Sequence, residues 1–249
     1  MENSELIIEG RNAVVEALKA DRSIDKLFII DSEQQSGPIK TIVAEARKRG
    51  VVIRFETKEM MDKISNTNKH QGVIAYVAAY DYVEVEDILQ IAKDKGEPPF
   101  VIILDSIEDP HNLGAILRTA NIAGVHGVII PKRRAVGLTA TVSKTSAGAI
   151  EYTPVARVTN IVRTIEDLKK QGLWIACADM DGQLMYKVDL KGPLAIVVGG
   201  EGAGVGKLVK EKCDLIAKVP MKGDIDSLNV SVATSILVYE ALRQRDFLS

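Results

Sequence analysis

Five short runs of almost uninterrupted apolar residues, with helix-like spacing between them, constrain this chain more than anything else in it. They are FVIILD (100–105), GVIIP (127–131), LWIACA (173–178), LAIVVGG (194–200) and LIAKVP (215–220). A strand that is apolar at every position, rather than at alternate ones, is buried on both faces. Such strands separated by helices imply a mostly parallel sheet covered on each side. Helices are expected at about 112–123, 139–146, 160–171 and 205–211, with a long one closing the chain at 229–245. Ligands in sheets of this kind sit beyond the carboxyl ends of the strands. The loops after 105 and 200 are therefore the first places to look for a site.

The N-terminal part alternates in the same way with weaker signals. Helices are expected at 12–19, 38–49 and 58–65, and strands at 26–30, 51–55 and 72–79. The stretch 81–99 runs from a polar helix into a Gly-Glu-Pro-Pro break, the mark of a boundary between domains. A chain of 249 residues accommodates two. The expected division is a first domain at 1–80, a linker at 81–98 and a second domain at 99–249.

Composition narrows the partners. A net charge of −2 gives no global attraction to nucleic acid, and 4% aromatic residues provide no stacking platform for single strands. Any grip on nucleic acid has to be local, and Lys132, Arg133 and Arg134 are the candidate patch. Two cysteines, Cys177 and Cys213, are too few for a disulfide framework or a zinc site. His70 and His111 have no second ligand at metal spacing, so no metal is expected. The beginning of the chain lacks the basic-then-apolar pattern of a signal peptide, and no uncharged run makes a convincing membrane span. A cytoplasmic location is expected.

Two nearly uncharged stretches keep one ionised residue each. Arg118 is the only formal charge between Asp109 and Lys132, and Glu201 the only one between Lys191 and Lys207. A charge in apolar surroundings is costly unless paired or hydrogen-bonded, so each marks an ion pair or a site. The glycines around Glu201 (Gly199, Gly200, Gly202, Gly204) do not form a dinucleotide fingerprint, because Val205 stands where its third glycine belongs. A P-loop fails as well, since Leu208 rather than Ser or Thr follows Gly206-Lys207. A glutamate among backbone amides repels phosphate and favours a ligand with positive charge or hydrogen-bond donors.

A third stretch, SLNVSVATSILVY (227–239), is uncharged but carries small polar groups. Local roles exist for each polar residue singled out. Asn112 is placed to cap the helix that follows it, Ser227 and Asn229 to cap the last helix, and Arg118 to form a structural ion pair.

Together, DPHNLGAILRTA (109–120), VVGGEGAGV (197–205) and SLNVSVATSI (227–236) resemble the three motifs of the SpoU (TrmH-type) branch of the SPOUT RNA methyltransferases. Lys144 to Ala149 fits between the first two, and GRNAVVEAL (10–18) with KHQGVIAYV (69–77) is similar to the family's small substrate-binding domain. The resemblance implies a SPOUT-type α/β sheet with a C-terminal trefoil knot, preceded by a small L30e-like α/β domain that binds RNA. It implies a homodimer with its active site at the interface. The implied reaction is methyl transfer from S-adenosylmethionine to a ribose 2′-hydroxyl, in the closest subgroup that of a guanosine in 23S ribosomal RNA. By the same resemblance, Asn112, Arg118, Glu201, Ser227 and Asn229 are catalytic. Backbone around Gly199, Val219, Met221 and Leu228 holds the cofactor, and Lys132, Arg133 and Arg134 grip RNA. Transfer RNA, an antibiotic-resistance methylation of ribosomal RNA, and non-catalytic RNA binding are the alternatives.

Overall fold

The computed structural model describes residues 6–31, 37–202, 204–224 and 227–246. It divides into two compact units, 1–81 with 137–141, and 82–136 with 142–249.

In the first unit the order is β1 (Leu6–Glu9), α1 (Arg11–Lys19), β2 (Ile24–Ile30), α2 (Gly37–Lys48), β3 (Val52–Glu56), α3 (Lys58–Ile64) and β4 (Val73–Val77). The sheet order is β1-β4-β2-β3, with β2 and β3 parallel and β4 antiparallel to both of its neighbours. Alternation along the strands serves two cores. Leu27, Ile29, Val73 and Ala75 pack with Val14 and Ile42 from α1 and α2, and Phe28 and Ile74 face Met61 of α3 on the other side. Strand β1 has no counterpart among the expected elements.

The chain continues with α4 (Val85–Lys95), β5 (Phe100–Asp105), α5 (Pro110–Ile122), β6 (Gly127–Pro131), α6 (Ala140–Thr145), β7 (Val155–Val158) and α7 (Ile161–Lys170). It ends with β8 (Trp174–Leu184), β9 (Leu194–Gly199), α8 (Lys207–Lys212), β10 (Leu215–Lys218) and α9 (Val230–Asp246). The strands form one six-stranded sheet, β10-β8-β9-β5-β6-β7, with every pairing parallel. This is the mostly parallel, two-sided sheet that the apolar runs require. All strand C-termini therefore share one edge, where the loops after β5, β6, β8 and β9 emerge.

The segment 81–98 is no loose linker. Most of it is α4, opened by Glu84 N–H donating to Asp87 Oδ2 at 2.9 Å and closed by Gly96 at φ +67°. Ile88 and Ala92 are fully buried, Ile88 in the core of the second unit. Gly127 is what lets α4 approach, because a Cβ there would lie 2.6 Å from Ile88.

Candidate active site

Strands β5 and β9 are neighbours, with Asp105 opposite Gly199, so their C-terminal loops leave the sheet side by side. Gly200 N–H donates to the Asp105 carbonyl at 2.9 Å and Gly206 N–H to Asp105 Oδ2 at 2.8 Å. The loop after β9 folds back on itself and against the loop after β5 too closely for side chains at two positions. A Cβ on Gly199 would fall 2.0 Å from Gly204, and one on Gly200 would fall 2.4 Å from the Ser106 carbonyl. Close packing explains Gly199 and Gly200, and positive φ, +81° and +63°, explains Gly202 and Gly204, without any phosphate.

Helix α5 begins at Pro110, two residues before its first expected residue. Asp109 is the cap, accepting from His111 N–H at 2.8 Å, and Pro110 fills the first helical position, where a missing N–H costs nothing. Asn112 is therefore not a cap. It is buried at 6% exposure in the first turn and its side chain is free for other partners. Gly114 seats that turn, since a Cβ there would lie 1.9 Å from Thr145 Oγ1.

Three side chains from three separate segments meet here. Asn112 Nδ2 donates to Glu201 Oε1 at 3.1 Å, and Asn229 Nδ2 donates to Glu201 Oε1 at 2.8 Å and to Asn112 Oδ1 at 2.9 Å. At its other end Asn229 Oδ1 accepts from Ser231 N–H at 3.0 Å and Ser231 Oγ at 2.6 Å, so it also caps α9. The closed triangle fixes both amide orientations, because each nitrogen must face an acceptor. It holds Glu201 by one oxygen and leaves Oε2 without a partner among the described residues.

Arg118 stands apart. The apolar face of α5 (Leu113, Ile116, Leu117, Ala120) turns to the core, and Arg118 falls on the exposed side. It joins no hydrogen bond or ion pair among the described residues. Glu201 is exposed too, so neither charge carries the burial cost that its sequence neighbours imply. The adjacent Thr119 ties α5 to α9 through Ser235, Oγ1 to Oγ at 2.8 Å.

Beside the triangle lies a cavity of about 530 Å³. Gly199, Val219, Met221 and Leu228 all line it, as do Glu201 and Ser227, although Ser227 is not part of the triangle. Ala217 and Leu237 complete its apolar wall. Sequence reasoning missed two carboxylates in the lining, Asp179 and Asp181 of β8. Lys210 of α8 binds both, at 2.8 Å to Asp179 and 2.9 Å to Asp181. Burial pushes the Asp179 carboxyl up, but hydrogen bonds from Asp181 N–H and Lys210, with the lysine's charge, hold it below its ordinary value. The signal that points to Asp179 is its place after the apolar run of β8, at the same sheet edge as Glu201.

Lys132, Arg133 and Arg134 follow β6, also on that edge; Arg133 and Arg134 are exposed, and Lys132 is half-buried. Arg157 of β7 supports them, donating to the Lys132 carbonyl at 3.3 Å while lying 5.2 Å above the Tyr82 ring. None of the three basic residues lines the cavity. Among the described residues there is no cluster of side chains suited to a metal ion, and no helix is long and apolar enough to cross a membrane.

Comparison with known proteins gives this geometry a family. The model of the SpoU rRNA Methylase family matches residues 99–239, and that of RNA 2′-O ribose methyltransferase substrate binding matches residues 7–83. The chain is 49% identical to the TrmH family tRNA/rRNA methyltransferase YacO of Bacillus subtilis (strain 168), over 95% of each chain. Among solved structures, an AdoMet-bound rRNA methyltransferase from Sinorhizobium meliloti shares the fold at a TM-score of 0.60 and 24% identity, covering 97% of this chain and 88% of that one. A TrmH/SpoU tRNA modifying enzyme of A. aeolicus is similar at a TM-score of 0.56 and 28% identity, over 66% of this chain and 84% of its own. The chain belongs to the SpoU rRNA methylase family and is an RNA 2′-O-ribose methyltransferase of that class.

Proposed function

We propose that this protein transfers a methyl group from S-adenosylmethionine to the 2′-hydroxyl of a guanosine in 23S ribosomal RNA. The observation that carries the reading is the Asn112–Glu201–Asn229 triangle at the mouth of a largely apolar cavity. The residues fit the cofactor. Val219, Met221 and Leu228 offer a dry slot and backbone partners for a flat base. Glu201 suits a ligand that carries a sulfonium, an ammonium and hydroxyl donors but no phosphate. When bound, S-adenosylmethionine supplies an electrophilic methyl group on sulfur.

The chain's own part is alignment and charge. In-line transfer needs the hydroxyl oxygen held opposite the sulfur, and positioning of this kind contributes about 7–11 kcal/mol. Glu201 Oε2 and the amides around it orient the target ribose. Arg118 clamps the neighbouring RNA phosphate and stabilises the alkoxide as the hydroxyl proton passes to solvent water, since a guanidinium does not deprotonate and is no base. Lys132, Arg133 and Arg134 bind further phosphates, and the 7–83 unit selects the RNA.

Arg118 lies outside the triangle of its own chain, and this supports a homodimer in which each subunit lends Arg118 to the other's site. The exposed side of α5 and α9 is apolar enough to be covered, with Ile122 at 62%, Val232 at 46% and Tyr239 at 48% exposure. A C-terminal trefoil knot belongs to the same reading. Its support is the return of α9 to the segment before β9, where Gln244 accepts from Leu190 N–H and donates to the Val188 carbonyl.

Incubating the protein with methyl-labelled S-adenosylmethionine and separate large-subunit, small-subunit and transfer RNAs tests the proposal. Nuclease digestion of the large-subunit RNA should release label as 2′-O-methylguanosine. Label only in transfer RNA, or only on a base, contradicts it.

A further inference from the structure

The proposed cofactor reading accounts for the apolar wall of the cavity and for Glu201, and leaves a second carboxylate in the lining unassigned. Asp179 lies just past the point where β8 stops pairing with β9, whose last matched pair is Cys177 and Val197. It therefore sits at the carboxyl edge of the sheet, where ligands bind. Its side chain is only 20% exposed. Oδ1 accepts from both Asp181 N–H, at 2.9 Å, and Lys210 Nζ, at 2.8 Å. Oδ2 has no partner among the described residues. One oxygen is thus anchored and the other is left to whatever enters the cavity that Asp179 lines. Lys210 does not cancel its acceptor strength, because one lysine shared between Asp179 and Asp181 leaves the trio with a net negative charge.

Two parts of the cofactor could donate to this oxygen, the ribose hydroxyls and the α-ammonium of the methionyl tail. Burial separates them. The ribose is enclosed between the base and the sulfur, whereas the tail is a free end. Asp179 is the enclosed carboxylate, and Asp181, with a side chain 84% exposed, is the outlying one. Resting on the cofactor reading of the cavity, we infer that Asp179 is a cofactor-binding residue whose Oδ2 accepts hydrogen bonds from the ribose hydroxyls of S-adenosylmethionine. Lys210 and the Asp181 amide hold it in place.

Calorimetric titration of the whole protein with S-adenosylmethionine, S-adenosylhomocysteine and 5′-methylthioadenosine tests this without any RNA. All three share the ribose, but methylthioadenosine has no amino-acid tail. Asp179→Asn should weaken all three by about tenfold or more, as expected for a hydrogen bond to a charged group. Lys210→Met, which removes the anchor and keeps the carboxylate, should weaken them by clearly less. Thermal unfolding of both variants checks that each is folded at the titration temperature. Unchanged binding by Asp179→Asn overturns the inference alone. So does a loss that spares methylthioadenosine, which places Asp179 at the tail, or an equal loss in Lys210→Met, which makes the carboxylate structural. A wild-type protein that binds none of the three removes the reading of the cavity and the inference with it.

Discussion

Asn229 serves a helix and a site with opposite ends of one amide, and that double use can be separated experimentally. Serine is as good a cap as asparagine but has no nitrogen to reach Glu201. Asn229→Ser should unfold within about 0.5 kcal/mol of wild type yet lose about tenfold or more in turnover, whereas Asn229→Ala should also lose about 1 kcal/mol of stability. Wild-type turnover in the serine variant would remove Asn229 from the site. Arg118→Lys should lose about 100-fold or more in kcat, because one ammonium cannot reproduce the planar fork that holds phosphate and alkoxide together. Near-normal turnover in single-turnover assays would rule out the clamp. Both residues stand in motifs that the sequence displays. Their surroundings were not legible there. Counting charges along the chain finds Arg118 among apolar neighbours, but the helical face decides burial, and α5 turns it outward. The same blindness placed the cap at Asn112, when Asp109 and Pro110 had already started the helix.

The strands of the second unit could be read almost to the residue, because burial on both faces removes polar residues from them. Phe100–Asp105 and Gly127–Pro131 fall where the apolar runs put them. Elements that mix polar and apolar residues escaped. Strand β7 is four residues long on the sheet edge and contains Arg157. Strand β8 runs six residues past its apolar part, to Leu184, because the polar end pairs with β10 across an irregularity at Ile216/Ala217. Helix α4 was legible as a polar helix, but its two buried residues, Ile88 and Ala92, stand amid mostly polar ones, so its anchoring was not. The seat of α5 on α6 is equally specific. Gly114→Ala should cost about 1–3 kcal/mol, read as a lower midpoint in urea, since Thr145 must move to admit a methyl group. A variant as stable as wild type would show that the contact yields.

On the proposed reading, the separation of Arg118 from the triangle makes a homodimer, rather than the single chain, the unit of catalysis. Arg118→Ala and Glu201→Ala should each be inactive alone. When the two are mixed, unfolded and refolded together, about half of the dimers by random pairing carry both subunit types. Each mixed dimer then has one site with an intact Arg118 and an intact Glu201, so about a quarter of wild-type activity should return. No recovery from a mixture shown to contain mixed dimers would place both groups in one subunit. The chemistry itself rests on a simpler observation. Ribose methylation should be mapped across the ribosomal RNA of cells with and without this protein. One guanosine of the large-subunit RNA should lose its 2′-O-methyl group when the protein is absent and regain it when the wild-type chain, but not Arg118→Ala, is restored. A ribosomal map that does not change would contradict the assignment.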